Sequence, residues 1–247
     1  MIHYHGTPLS GGIDQSVKFY KNRHALISYA TFKDTHTVIT DVCQSFCIDN
    51  GAYSFWKSGE EVDWSEFYTW LKNWMSHPRF DFVLLPDVIG GTERDNNELV
   101  AGCRIPFDRK YQCCPVFHLG ERLERLDFIW ELGYRRVSIG STPGFELKSI
   151  NFWNEMRKIF EHICANGIPK FKVHGLRMLD IEIIEQFPFS SGDSTTATMQ
   201  AIFDFKWDQY PYSPTTKAGR AALVADKMER AQSPSFYSPK PIQMELI

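Results

Sequence analysis

Three aspartates and three histidines close short apolar runs of this chain. Asp49 ends Ser45-Phe-Cys-Ile-Asp49, Asp87 ends Leu84-Leu-Pro-Asp87, and Asp193 follows Phe189-Ser-Ser-Gly192; His5, His118 and His174 close three further runs. An acid at the end of a strand, just before a helix, sits on the open rim of an α/β barrel or sheet, where such folds do their chemistry. Each has an ordinary reading as well. Asp193 precedes Ser-Thr-Thr-Ala-Thr-Met and would serve as the N-cap of that helix, while Asp87 after Pro86 and Asp49 before Asn50-Gly51 are common turn residues. As a set they are harder to dismiss, because like charges gathered in one pocket raise each other's pKa. Paired carboxylates can divide the work of retaining glycosyl transfer: one attacks an anomeric carbon while the other shuttles a proton. Tyr53, Phe55 and Trp56, just after the first acid, offer faces that can stack on a flat base or sugar.

Other chemistries lack their signatures. There is no GxxxxGK[ST] loop, no GxGxxG and no GxSxG elbow. The six cysteines form no CxxC pair; Cys43 and Cys47 are four apart and Cys113 and Cys114 adjacent, poor spacing for zinc. They read as reduced thiols packed as small apolar groups in a cytoplasmic protein. No metal and no cofactor is expected. A net charge of −3 argues against a strongly basic nucleic-acid coat but allows a local basic groove. No apolar run approaches the roughly 18 residues of a membrane span, and Met1-Ile-His-Tyr-His-Gly6 lacks signal-peptide character.

The elements that must position these groups alternate as βα units. Strands are expected at Ile2–His5, Ala25–Ala30, Ser45–Asp49, Phe80–Pro86, Pro115–His118, Arg136–Gly140, Phe171–His174 and Phe189–Gly192, the last turning sharply at its glycine. Helices are expected at Asp14–Asn22, Trp64–Met75, Arg94–Cys103, Glu121–Leu132, Phe152–Cys164 and Ile181–Phe187. Trp64, Phe67, Tyr68, Leu71 and Trp74 share one helical face, and Gly133 and Gly167 are helix stops. Eight strands with crossovers predict an α/β fold, a single compact (β/α)8 TIM-type barrel over residues 1–205; an open doubly wound sheet is the alternative. Residues 206–247 are expected as a short C-terminal helix (Thr215–Gln232, carrying Lys217, Arg220, Lys227 and Arg230) and an extended tail (Ser233–Pro241).

The order of these segments resembles the tRNA-guanine transglycosylase superfamily, and within it the DpdA-like branch that places 7-deazaguanines in bacterial and phage DNA. That family is a (β/α)8 barrel that exchanges a base through a covalent aspartyl-sugar intermediate. Asp49-Asn50-Gly-Ala-Tyr53-Ser54 is similar to its Asp-Ser-Gly-Gly-Phe-Gln segment. Asp87 matches the acid that binds the purine edge. Val116-Phe-His118-Leu-Gly120 resembles Val-Gln-Gly-Gly, with His118 in place of the Gln. Ile139-Gly140-Ser141 resembles the Gly-Gly segment, Val173-His174-Gly175-Leu176 resembles Met-Gly-Val-Gly, and Asp193 falls on the nucleophile.

The resemblance implies that Asp193 attacks the sugar and Asp49 acts as general acid and base. Asp87, His118, Gly140, Tyr53, Asn50, His174, Gly175, Ser194 and His5 are the candidate substrate-binding residues. The implied partners are nucleic acid and a free 7-deazaguanine base; members of the family often form a homodimer, and the sequence leaves the oligomeric state open. The chain has no Cys after Cys164 and no His after His174, so the zinc subdomain of the tRNA enzymes is missing, which makes DNA the expected polymer rather than tRNA. A small-molecule deoxyribosyltransferase or N-glycosidase would use the same acids, and a barrel that only binds a partner is the non-enzymatic reading.

Overall fold

The computed structural model describes residues 1–203, 207–208 and 211–239. The boundary expected at 205/206 and the last part of the tail, 240–247, lie outside the described residues. In chain order the elements are β1 (Ile2–Gly6), α1 (Ile13–Tyr20), β2 (His24–Ser28), α2 (Asp34–Val42), β3 (Ser45–Asp49), α3 (Ala52–Ser58), α4 (Trp64–Leu71), β4 (Phe80–Leu84) and α5 (Glu93–Ala101). There follow β5 (Cys113–Cys114), β6 (Val116–His118), α6 (Glu124–Glu131), β7 (Arg136–Gly140), α7 (Ile150–Ile163), β8 (Cys164–Ala165), β9 (Ile168–Pro169), β10 (Lys172–Leu176), α8 (Ile181–Ile184), β11 (Ser191–Ser194), α9 (Thr196–Gln200) and a C-terminal helix (Lys217–Glu229).

Nine strands form one sheet in the order β5-β4-β3-β2-β1-β11-β10-β7-β6, every pair parallel. The two ends of that order are consecutive in sequence. β5 and β6 are one strand interrupted at Pro115, which has no N–H to give a ladder. Its carbonyl still accepts the Ser138 N–H at 2.8 Å, so the segment pairs with β4 on one side and β7 on the other. The ring therefore closes on eight strand positions, the expected TIM-type barrel.

Side-chain alternation sorts each strand. Tyr4, Leu26, Cys47, Phe82, Leu84, Cys114 and Val116 form a cluster of strand residues alone, the barrel interior. Their neighbours Ala25, Ile27, Phe46, Ile48, Val83, Phe117 and Ile139 face out and join the helices in the main core. His174 packs edge-on to both Tyr4 and Phe82 and so belongs to the interior. Tyr4 hydroxyl to Asp81 and Arg136 Nη2 to Asp81 Oδ1 (3.0 Å) plug the end at which the strands begin.

Several expectations needed correction. The eighth strand lies two residues later than predicted: Gly192 pairs with His3 on one side and Gly175 on the other, so it is extended strand and not a turn. Asn166 and Gly167, both at positive φ (52° and 78°), close the β8–β9 hairpin, a favoured Asn-Gly turn, where a helix stop was expected. The sequence reading missed α2 and α3. Thr and Val in the first, and Tyr-Ser-Phe-Trp in the second, are weak helix formers, and tertiary packing overrides that preference.

The C-terminal helix packs on α1, α9 and the outer face of β1, the position of the eighth barrel helix. Ala218, Ala221, Ala225 and Met228 bury one stripe of it in the main core. His3 Nε2 meets the Ala231 carbonyl at 3.0 Å, and Tyr237 N–H donates to Gly167 O at 2.7 Å while its ring stacks on Phe187. The C-terminal helix thus shares the barrel's core.

Candidate active site at the barrel mouth

Asp193 is 2% exposed and lies in register with Tyr4, which directs it into the barrel. It does not cap α9. The N-cap position is Thr195, which makes no side-chain capping bond; before it, Ser194 Oγ accepts the Thr196 N–H at 3.0 Å and pairs with Thr196 Oγ1 at 2.6 Å. Asp193 Oδ1 is held at 3.1 Å by His174 Nε2 and at 2.9 Å by the Arg177 backbone N–H. His174 Nδ1 lies 2.9 Å from Ser191 Oγ, an arrangement that suits a proton on Nε2 facing the carboxylate. Both donors fall on Oδ1, which leaves Oδ2 for the mouth. His174, Ser191 and Asp193 meet because residues two apart on a strand share a face.

Asp87, 7% exposed, is held at both oxygens. Asn50 Nδ2 donates to Oδ1 at 2.7 Å, and His118 Nε2 contacts Oδ2 at 2.8 Å. Asn50 also donates to Leu85 O at 2.6 Å and accepts the Ala52 N–H at 2.7 Å, which ties the end of β3 to the end of β4. Further groups hold His118 from behind. The His118 N–H donates to Glu121 Oε2 at 2.8 Å, Asn96 Nδ2 lies 3.4 Å from His118 Nδ1, and the buried Arg125 bonds Glu121 Oε2 at 2.8 Å. Both ring nitrogens of His118 are therefore committed to protein.

Asp49 is partly exposed at the end of β3. Burial, with the charges of Asp193 and Asp87 added, pushes its carboxyl up to about 6, against the opposing pull of Arg177 and a hydrogen bond from Gly51 N–H. Gly51 sits at φ 81°, and a Cβ there would lie 2.6 Å from Ala30 Cβ. Only glycine lets the chain turn this tightly into α3. That turn places Tyr53, 40% exposed, at the rim, where the Arg177 guanidinium lies over its ring at 4.1 Å and Trp56 flanks it.

Of the candidate residues, the mouth gathers Asp49, Asn50, Tyr53, Asp87, His118, His174 and Asp193. Gly140 belongs with them: a Cβ there would sit in ordinary contact with His118 and Leu176, so glycine keeps space open beside the imidazole. Three candidates do not join. His5 faces outward, fully buried, with Nε2 2.8 Å from Glu229 of the C-terminal helix. Ser194, its register partner, faces out and bonds the first residue of α9. Gly175 turns its side-chain direction toward Met178 and Phe189 of the outer core. All three lie one residue from an inward position, the one-residue error that flips a strand side chain to the other face. The reading missed Arg177, Ser191, Asn96, Glu121 and Arg125. Arg177 directly follows the strand end at Leu176, a signal available in the sequence; Asn96 and Arg125 lie on helices and reach the site only through packing.

Two surface cavities, of about 520 Å³ beside Asn97, Arg122 and Phe128 and about 340 Å³ beside Trp207 and Leu223, lie away from this mouth and touch none of its acids. Among the described residues no group of three or more His, Cys, Asp or Glu side chains is arranged to hold a metal ion, and no helix is long and apolar enough to cross a membrane. Fold and site together define a (β/α)8 barrel whose mouth is lined by three carboxylates in unlike surroundings. No protein-family model and no curated protein matches the chain.

Proposed function

We propose that the chain is a base-exchange transglycosylase that replaces guanine by a 7-deazaguanine derivative in DNA. The observation that carries this reading is the contrast between two acids of one mouth. Asp193 is fixed by two hydrogen-bond donors with one oxygen left open, while Asp49 has its carboxyl raised to about 6. A fixed carboxylate suits a nucleophile, and a carboxyl titrating near neutrality suits a general acid and base.

Asp193 Oδ2 attacks C1′ of the target sugar. The C1′–N9 bond breaks, its electron pair leaves with guanine, and Asp49 supplies the proton. The incoming deazapurine returns a proton from its N9 to Asp49 and attacks C1′, and the Asp193 ester bond breaks. Both carboxyls end as they began. Asp87 uses its remaining lone pairs to accept from the purine edge, and His118 holds Asp87 for that task, acting through it. In duplex DNA the target nucleotide must first be flipped out, which costs roughly a few kcal/mol.

The test offers labelled guanine or labelled 7-deazaguanine with DNA, tRNA and deoxyguanosine nucleotides in parallel. Label entering DNA, abolished in Asp193→Asn, is the expected result. Label entering only free nucleotides would make the protein a small-molecule deoxyribosyltransferase, and release of guanine alone would make it an N-glycosidase. No turnover with any acceptor would overturn the enzymatic reading.

A further inference from the structure

The mouth holds a cation that the mechanism above does not use. Arg177 follows β10 at φ 59°, a left-handed conformation uncommon for a side chain other than Asn or Asp. Two consequences of that turn converge. Its backbone N–H points down to Asp193 Oδ1, and its side chain folds over Tyr53. The guanidinium is exposed and, among the described residues, forms no ion pair or hydrogen bond with any carboxylate, although its charge reaches Asp49. The other arginine near the site, Arg125, is buried and spent on Glu121, Asn97 and Val116 O. The mouth therefore presents one planar set of N–H donors, stacked in place on an aromatic ring, above a floor of three acids.

An anion entering such a mouth meets repulsion from the floor unless a fixed cation offsets it. A guanidinium free of carboxylates suits phosphate oxygens, which it can bond in bidentate fashion. We propose that Arg177, backed by Tyr53, is a phosphate-binding residue that selects a phosphorylated nucleotide over a neutral nucleoside. This rests on the base-exchange reading for what the phosphate is attached to. The same chemistry is offered by a phosphodiester of a polymer and by the phosphate of a mononucleotide.

The test is binding, measured by calorimetry so that turnover is not needed. The ligands are deoxyguanosine, its 5′- and 3′-monophosphates, and a short oligodeoxynucleotide with one guanine, natural or with neutral methylphosphonates flanking that guanine. Arg177→Gly suits the positive φ and keeps the backbone N–H to Asp193, so it removes only the side chain; Arg177→Lys keeps charge without the fork. Wild type should bind phosphorylated ligands roughly tenfold or more tightly than their neutral counterparts. Arg177→Gly should erase that preference, bringing charged and neutral ligands to equal affinity, and Arg177→Lys should restore part of it. A preference shown only by the oligonucleotide assigns a phosphodiester, and one shown by a monophosphate assigns a terminal phosphate. Equal affinity of wild type for charged and neutral ligands, an Arg177→Gly loss that is the same for both, or no binding at all would overturn the proposal. If the preference depends on Arg177 but no base exchange occurs, the base-exchange reading falls and the phosphate site stands.

Discussion

Asp49 carries the most exposed consequence of the site's electrostatics. Its carboxyl is raised to about 6, so it holds its proton in mildly acidic solution and loses it as pH rises. Under the proposed base exchange, a general acid of this kind predicts that kcat/KM for guanine departure falls on the alkaline side of about 6, and that Asp49→Asn abolishes this limb with the activity. Stability moves in the linked sense. A folded-state pKa above the unfolded one means the contribution is fully present below the unfolded value and is lost as pH rises through the folded one. Asp49→Asn removes that penalty and should stabilise the protein at neutral pH by about 1–3 kcal/mol. Denaturant titrations of both proteins at low and neutral pH check this; a variant equally destabilised at both would show that Asp49 is held by its neighbours rather than strained by them. Asp193→Asn in the labelling assay completes the residue-scale test. His118, with both nitrogens bound to protein, belongs to the support of Asp87.

Among the elements, the C-terminal helix decides whether the barrel's outer layer is complete. It approaches β1 closely because its buried stripe is made of Ala218, Ala221 and Ala225. Ala221 is fully buried, and Ala221→Leu adds bulk to this packed stripe; such overpacking costs typically about 1–3 kcal/mol. The expected outcome is a lower Tm with the proposed base exchange unchanged once the protein is folded, since the helix lies outside the barrel and the acids inside it. A loss of activity at full stability would mean that the helix sets the geometry of the mouth. The same helix explains the fate of His3 and His5. Outward positions of β1 face it, and burial lowers His3 to about 4 where it meets Ala231 O.

At the scale of the molecule, strands from the first to the last residues of the ring are neighbours: β1 pairs with both β2 and β11, and the C-terminal helix covers β1. A ring closed in this way has no detachable end. One cooperative unfolding transition is therefore expected, with backbone amides of the C-terminal helix exchanging in the same unit as those of β1. Hydrogen exchange and thermal unfolding together check it. A separate early transition confined to the C-terminal helix would make that segment a distinct unit.

How much of this was legible beforehand follows from what carries each feature. Local signals are written in the chain: apolar runs bounded by acids and glycines placed eight strand positions and most helices, and an acid at a strand end marked Asp49, Asp87 and Asp193. The approach of His174 to Asp193 crosses two strands, and that of His118 to Asp87 links strand ends far apart in sequence; their register is a property of the closed ring. Facing was the weak point. Alternation has a period of two, so a strand placed two residues early kept Asp193 inward, while His5, Gly175 and Ser194, each one residue from an inward position, face the helices. What the sequence determined by itself was the alternation of elements and the supply of acids near their ends. Which acids meet, which histidines serve them, and the placement of Arg177 over Tyr53 were decided by tertiary structure alone, because strand register and ring closure depend on pairings between residues far apart in the chain.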